Sequence, residues 1–337
     1  MADASSRSMP AGGMGGQIAM KRAFVFPGQG SQAVGMGRNL ADAFQAARRL
    51  FDEVDSSLSQ HLSRLMFEGP EGELTLTENA QPALMAASLA VIRVLETEGG
   101  LDLSEHVAYV AGHSLGEYSA LAAARALSVG DAARLLKLRG QAMQRAVPVG
   151  EGAMAALIGL DAADARAIAA EAARAGIDHD EICTVANDNA PGQVVVSGHR
   201  GAVERAIAIA REHGARRSIV LAVSAPFHSP LLAPAAAAMA EALKEVTLRA
   251  PLAPLVANVS ATAVSNPAAI KRLLVEQVTA MVRWRESVLY LAASGVEEIV
   301  EIGAGRVLAG LTKRIAPALA ARSVGTPAEV ETLLEDL

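Results

Sequence analysis

At 337 residues, 51% of them hydrophobic, the chain can enclose a large core, and with only 3% aromatics that core is built of alanine, leucine and valine. Such a mix suits helices packed on a parallel sheet. A net charge of −6 excludes a wholesale nucleic-acid binder, the single cysteine (Cys183) excludes an internal disulfide and points to a reducing, cytoplasmic compartment, and no apolar run is long enough to span a membrane.

Residues 1–20 are rich in glycine, serine and methionine and lack the apolar stretch of a signal peptide, so they read as a disordered leader or tag, with Met20 the more natural start. Ala23–Phe26 is a short buried strand that ends in Pro27-Gly-Gln-Gly-Ser-Gln32, a loop with few side chains and many free amides. Helical patterns follow at about 39–55 and 81–98. An apolar strand at 107–111 runs into Gly112-His-Ser-Leu-Gly116, and Glu117–Leu127 reads as a helix. Ser128 and Asp131 form a capping box for a helix that continues to about 146. Pro148-Val-Gly-Glu-Gly152 then punctuates the chain. Beyond it the pattern is strand (153–159), helix (161–175), strand (182–187), turn (Asn189–Gly192), strand (193–197), helix (200–213), strand (217–223). That order is ferredoxin-like. The larger region resumes with strands near 255–259 and 298–302 and a helix at 268–281. The expected fold is α/β: a larger α/β-hydrolase-like subdomain with a parallel sheet (21–150 and 224–330), interrupted by a ferredoxin-like subdomain (151–223).

Gly112-His-Ser-Leu-Gly116 satisfies the Gly-x-Ser-x-Gly pattern of a nucleophile elbow, in which a strand turns sharply into a helix and lifts a serine out of the backbone. Ser114 then lies near a helix N-terminus, where free N–H groups and the positive end of the dipole receive a developing oxyanion. A serine hydroxyl needs a base. Of seven histidines, His61, His106, His179, His199 and His213 lie in polar stretches and read as solvated, while His113 sits inside the turn and points away from the hydroxyl. His228 differs. It follows an apolar strand in Ser224-Ala-Pro-Phe-His-Ser-Pro230, and a rigid loop at a strand end is where a base is expected. A hydrolase triad would place an Asp or Glu between Ser and His in chain order. No carboxylate between Ser114 and His228 stands out, which favours a Ser-His dyad oriented by some other acceptor. No His or Cys cluster supports a metal site.

Two polar residues fall on apolar helix faces. Arg139 shares a stripe with Leu135 and Met143, four residues away on either side. An inward guanidinium is costly unless a carboxylate meets it, so its partner is either an internal acid or an anionic substrate. Gln277 lies in the stripe of Ile270, Leu273, Leu274, Val278 and Met281; either its amide finds buried partners or its backbone serves a neighbour.

Phe26-Pro-Gly-Gln-Gly-Ser-Gln32, Gly112-His-Ser-Leu-Gly-Glu117, Leu138-Arg-Gly140, Asn187-Asp-Asn-Ala-Pro-Gly-Gln193, Pro226-Phe-His-Ser229 and Gly310-Leu-Thr-Lys-Arg314, in this order, resemble the malonyl-CoA:acyl carrier protein transacylase family of fatty-acid synthesis over residues 21–325. The resemblance implies a malonylated Ser114, with His228 as base and later acid. It implies that the Gln277 carbonyl orients the imidazole, that the N–H groups of Gln29 and Leu115 form the oxyanion hole, and that Arg139 grips the malonyl carboxylate. Phe227 resembles the malonyl-selective pattern, and Asn189 is either a pantetheine contact or simple turn chemistry. The implied substrate is malonyl-CoA with no bound cofactor, and the implied partner is an acidic, phosphopantetheinylated acyl carrier protein, with neither nucleic acid nor membrane involved. Because this chain is itself negative, docking needs a local basic patch. Arg216 and Arg217 with Lys313 and Arg314 are the candidates, against ordinary solvated surface. Competing readings are a serine thioesterase or hydrolase, a polyketide-type acyltransferase and a non-enzymatic carrier-protein scaffold. The chain ending soon after its last helix favours a free-standing enzyme over a polyketide module.

Overall fold

A computed structural model describes residues 20–176 and 181–336. The leader through residue 19, and Asp178, His179 and Asp180, lie outside the described residues. The large sheet holds β1 (Arg22–Phe26), β2 (Val107–Gly112), β7 (Leu255–Val256), β8 (Ala263–Val264), β9 (Glu298–Ile302) and β10 (Ala320–Val324), in the order β10-β9-β1-β2-β7-β8. All pairings are parallel except β7 with β8. All five residues of β1 are buried, as expected of a central strand covered on both faces. Alternation along it splits the core: Phe24 and Phe26 pack on one face with Leu84 and Tyr118, whereas Ala23 and Val25 pack on the other with Trp284 and Leu308. The Thr77–Gly99 helix lies on the first face and is buried over most of its length, a pattern proper to a helix enclosed all round.

The second sheet contains β3 (Gly152–Ile158), β4 (Cys183–Ala190), β5 (Gln193–His199) and β6 (Arg217–Val220), in the order β4-β5-β3-β6 with every pairing antiparallel. With helices Ala162–Arg174 and Arg200–Glu212 in the connections, this is the ferredoxin-like arrangement. One face buries Ala155, Leu157, Val194 and Val196 under those helices. The other turns Met154, Ala156 and Val195 toward the main core. β4 is fastened to the large unit by Asp188 N–H to Val282 O (3.0 Å) and Val282 N–H to Ala186 O (2.8 Å). Beside them Arg285 pairs with the buried Asp188 at 2.8 Å. Cys183 is buried in β4, and its thiol is pushed up to about 12 by burial, as befits a core residue.

Several boundaries differ from the sequence expectation. The 39–55 pattern is two helices, Arg38–Ala43 and Gln45–Leu58, because Phe44 between them is extended. The helix expected at 81–98 begins earlier, at Thr77, and two short helices, Leu62–Glu68 and Glu71–Leu74, precede it. The 217–223 strand stops at Val220, the 268–281 helix spans Pro267–Gln277, and only Leu255–Val256 of 255–259 are paired. Asn189 is not a turn residue: β4 continues through Ala190 and the turn is Pro191-Gly192. His199 is not a free surface group either, since its Nδ1 accepts the Ile182 N–H at 2.8 Å. Ser128 does cap its helix, accepting the Asp131 N–H at 3.0 Å, but the Asp131 carboxylate returns to the Ser128 hydroxyl (2.7 Å) instead of its N–H.

Candidate active site

β1 and β2 end level with one another, Phe26 pairing with Gly112, so the loops that follow them leave the sheet side by side. The His113 N–H donates to the Phe26 carbonyl at 3.0 Å. A Cβ on Gly112 would collide with the Gly116 backbone, and one on Gly116 with the Phe26 carbonyl, so the turn closes only with glycine at both positions. Between them Ser114 sits at φ 55°, in the left-handed region, which is the strained geometry of a nucleophile elbow. Its backbone is pinned: the N–H donates to Asn258 Oδ1 (2.8 Å) and the carbonyl accepts from Gln277 Nε2 (2.9 Å). The wholly buried Gly116–Ala123 helix begins two residues on.

The Ser114 hydroxyl donates to His228 Nε2 at 2.8 Å. On its far side the imidazole donates from Nδ1 to the Gln277 carbonyl at 2.9 Å, which fixes the tautomer that leaves Nε2 free to accept. His228 is buried and, like Ser114, holds a positive φ, 56°. Burial first, and the Arg139 charge second, push its pKa down to about 3 against the pull of the Gln277 carbonyl. The imidazole is therefore neutral at physiological pH, the form a base requires. Among the described residues no carboxylate bonds it.

Arg139, on the Val129–Ala146 helix, is 1% exposed. It donates to Gln81 Oε1 (2.8 Å), Gln277 Oε1 (2.8 Å) and Ser114 Oγ (3.1 Å). Among the described residues it forms no ion pair, and its Nε has no hydrogen-bond partner. Of the two sequence alternatives, the internal acid is absent from its first contacts. Burial lowers its pKa, opposed by nearby Tyr118 and Glu117. Ser114, His228, Arg139 and Gln81 line a cavity of about 290 Å³ whose walls include Gln29, Leu115, Met143, Met154 and Phe227. A larger depression of about 600 Å³, bounded by Arg93, Arg125 and Arg249, holds none of them.

Gln29 and Leu115 enter this cavity from the two adjacent loops, and neither backbone N–H has an acceptor among the described residues. Asn189 does not line it: its Oδ1 bonds the half-buried His113 Nε2 at 2.8 Å, while Asn187, two residues earlier in β4, does reach the wall. Arg216, Arg217, Lys313 and Arg314 are exposed. The two pairs are brought toward each other: Arg216 N–H donates to Ile158 O (2.7 Å), Gly159 N–H to Gly192 O (2.9 Å), and Arg314 Nη2 to the neighbouring Pro191 O (2.9 Å).

Sequence reasoning missed Gln81, Glu117 and Asn258. Asn258 is fully buried and grips the elbow twice, accepting from Ser114 N–H and donating from Nδ2 to Gly112 O at 2.7 Å. It stands alone in a loop, so its pattern carries no signal. Glu117 did carry one, as the lone charge in an otherwise uncharged helix. Its carboxylate accepts the Asn258 N–H (2.5 Å) and the Gln277 amide. Burial pushes it up to about 8, opposed by those two donors and by Arg139.

The chain has counterparts among known proteins over nearly its whole length. The family model described as "Acyl transferase domain" matches residues 23–326. The malonyl CoA-acyl carrier protein transacylase of Bacillus subtilis (strain 168) is 45% identical over 94% of this chain and 97% of its own. A crystal structure of acyl-carrier-protein-S-malonyltransferase from Bartonella henselae superposes with a TM-score of 0.90 at 54% identity, covering 94% of this chain and 99% of that one. A malonyl-transacylase solved in complex with a type II PKS acyl-carrier protein gives 0.89 at 43% identity, over 94% of this chain and 100% of that one. The chain belongs to the acyl transferase family, as one of its malonyl CoA-acyl carrier protein transacylases.

Proposed function

We propose that the protein moves a malonyl group from malonyl-CoA to the phosphopantetheine thiol of acyl carrier protein through a malonyl-Ser114 ester. The observation that carries this reading is Arg139, a buried guanidinium without a carboxylate partner among the described residues, 3.1 Å from the hydroxyl that would be acylated. A malonyl group ends in the carboxylate such a fork accepts. His228 Nε2 takes the Ser114 proton as Oγ attacks the thioester carbonyl, and the N–H groups of Gln29 and Leu115 receive the oxyanion. Collapse expels the CoA thiolate, which leaves with the proton from His228. In the second half-reaction the imidazole deprotonates the carrier thiol, the thiolate attacks the ester, and Ser114 recovers its proton. These residues supply every proton and charge both halves need, so the reading calls for no bound cofactor. The reading assigns residues 21–150 and 224–330 to a catalytic subdomain, with 151–223 as a smaller one whose Met154 helps wall the pocket. Arg216, Arg217, Lys313 and Arg314 would receive the acidic carrier protein, Asn189, beside His113 and outside the pocket wall, the outer part of the pantetheine arm, and the single buried cysteine suits the cytoplasm. The test is intact mass after mixing with malonyl-CoA: one malonyl group on Ser114, and none on Ser114→Ala. An unmodified Ser114 in the native protein would overturn the reading.

A further inference from the structure

Gln277 is the joint of the pocket, and its amide has only one workable orientation. Arg139 can only donate hydrogen bonds, so the Gln277 oxygen must face it, as it does at 2.8 Å. The NH2 group is thereby turned the other way, onto the Ser114 carbonyl (2.9 Å) and Glu117 Oε2. Glu117 is 1% exposed, and Gln277 and Asn258 are fully buried, so water cannot take over any of these bonds. Each Glu117 oxygen faces a donor, Asn258 N–H on one and the Gln277 amide on the other. In its ionised form Glu117 is an acceptor on both atoms and answers both donors. The chain of contacts thus runs from Glu117 through the Gln277 amide to the guanidinium of Arg139.

We propose that Glu117 is a positioning residue that sets the preference for acyl groups ending in a carboxylate, by locking the Gln277 amide with its oxygen toward Arg139. It touches neither substrate nor the reacting atoms. The proposal rests on the malonyl-transfer reading and goes beyond it, because it makes the selectivity of Arg139 depend on a residue on another helix. Replacing Glu117 by glutamine keeps the shape and presents an NH2 group to one of the two donors. The Gln277 amide then loses its lock, and in the reversed orientation its NH2 group faces the guanidinium and turns it aside. A carboxylate-bearing acyl group feels this; an acetyl group, which does not use the guanidinium, feels it far less.

The experiment compares loading of Ser114 from malonyl-CoA and from acetyl-CoA by rapid quench and intact mass, in the native protein and in Glu117→Gln. The expected result is a fall of about tenfold or more in the malonyl-to-acetyl rate ratio, the size of losing one hydrogen bond to a charged group. Equal slowing of both acyl groups, or an unchanged ratio, would overturn the proposal, since a residue serving only the fold has no means of telling them apart. Gln277→Met cuts the same link from its other end while keeping the backbone carbonyl that holds His228. It is expected to lower the ratio likewise, and it decides the matter by the same criterion if Glu117→Gln does not fold. Native protein that takes no malonyl at all would sink the transferase reading itself, a result distinct from either.

Discussion

Arg139 and His228 are each useful because burial makes them abnormal. A guanidinium 1% exposed with no ion pair among the described residues is an unfinished interaction, which in the proposed reaction the carboxylate of the acyl group completes. Arg139→Ala should therefore lower kcat/KM for malonyl-CoA by about 2–5 kcal/mol of lost charge pairing, roughly thirtyfold or more, while acetyl loading holds or rises. An unchanged malonyl-over-acetyl ratio would refute the assigned role. His228 yields a prediction about pH. Its folded pKa, pushed down to about 3, lies below the unfolded value of about 6.5, so the unfolded chain binds a proton that the folded one refuses. Its contribution to stability is present above pH 6.5 and is lost as the pH falls toward 3. Urea midpoints measured across that range should fall less steeply for His228→Gln than for the native protein; parallel curves would contradict the assignment. Ser114 was legible in the sequence from its Gly-x-Ser-x-Gly turn, His228 from its proline-flanked loop at a strand end, and Arg139 and Gln277 because each is the wrong residue type for its helix face. Asn258 and Gln81 were not, since their purpose lies in partners 144 and 58 residues away.

Among the elements, what the sequence expressed clearly was periodicity and punctuation. The apolar runs, the change of pattern at Pro148–Gly152 and the strand-helix order after it carried the antiparallel sheet and four strands of the large one, while β8 and β10 did not stand out. What it expressed poorly was where pairing stops. Leu221–Val223 continue the apolar run of β6 yet leave the sheet to line the pocket, and Asn189 looks like a turn residue yet is held in β4 by its bond to His113. Tertiary demand overrode local preference in both. The basic candidates gain from the elements that carry them, because the Gly159 and Pro191-Gly192 turns bring Arg216 and Arg314 to neighbouring backbone. Reversing the charges of Arg216 and Arg217 should raise KM for the carrier protein several-fold at low salt and leave KM for malonyl-CoA unaltered. Equal effects on both would count against a docking role.

The molecule as a whole joins two sheets around one reaction chamber. The parallel sheet supplies the elbow and, through the level ends of β1 and β2, the loop that carries Gln29. The antiparallel sheet supplies the wall at Met154 and Asn187. Within that chamber the same serine, base and oxyanion donors would serve a hydrolase, and what separates a transferase from one is whether the malonyl ester outlasts water. The decisive measurement is the lifetime of malonyl-Ser114, followed by intact mass after excess malonyl-CoA is removed, with and without phosphopantetheinylated acyl carrier protein. An ester that persists in buffer and passes to the carrier thiol within seconds is the predicted result. An ester that yields free malonate as fast without the carrier as with it would contradict the account.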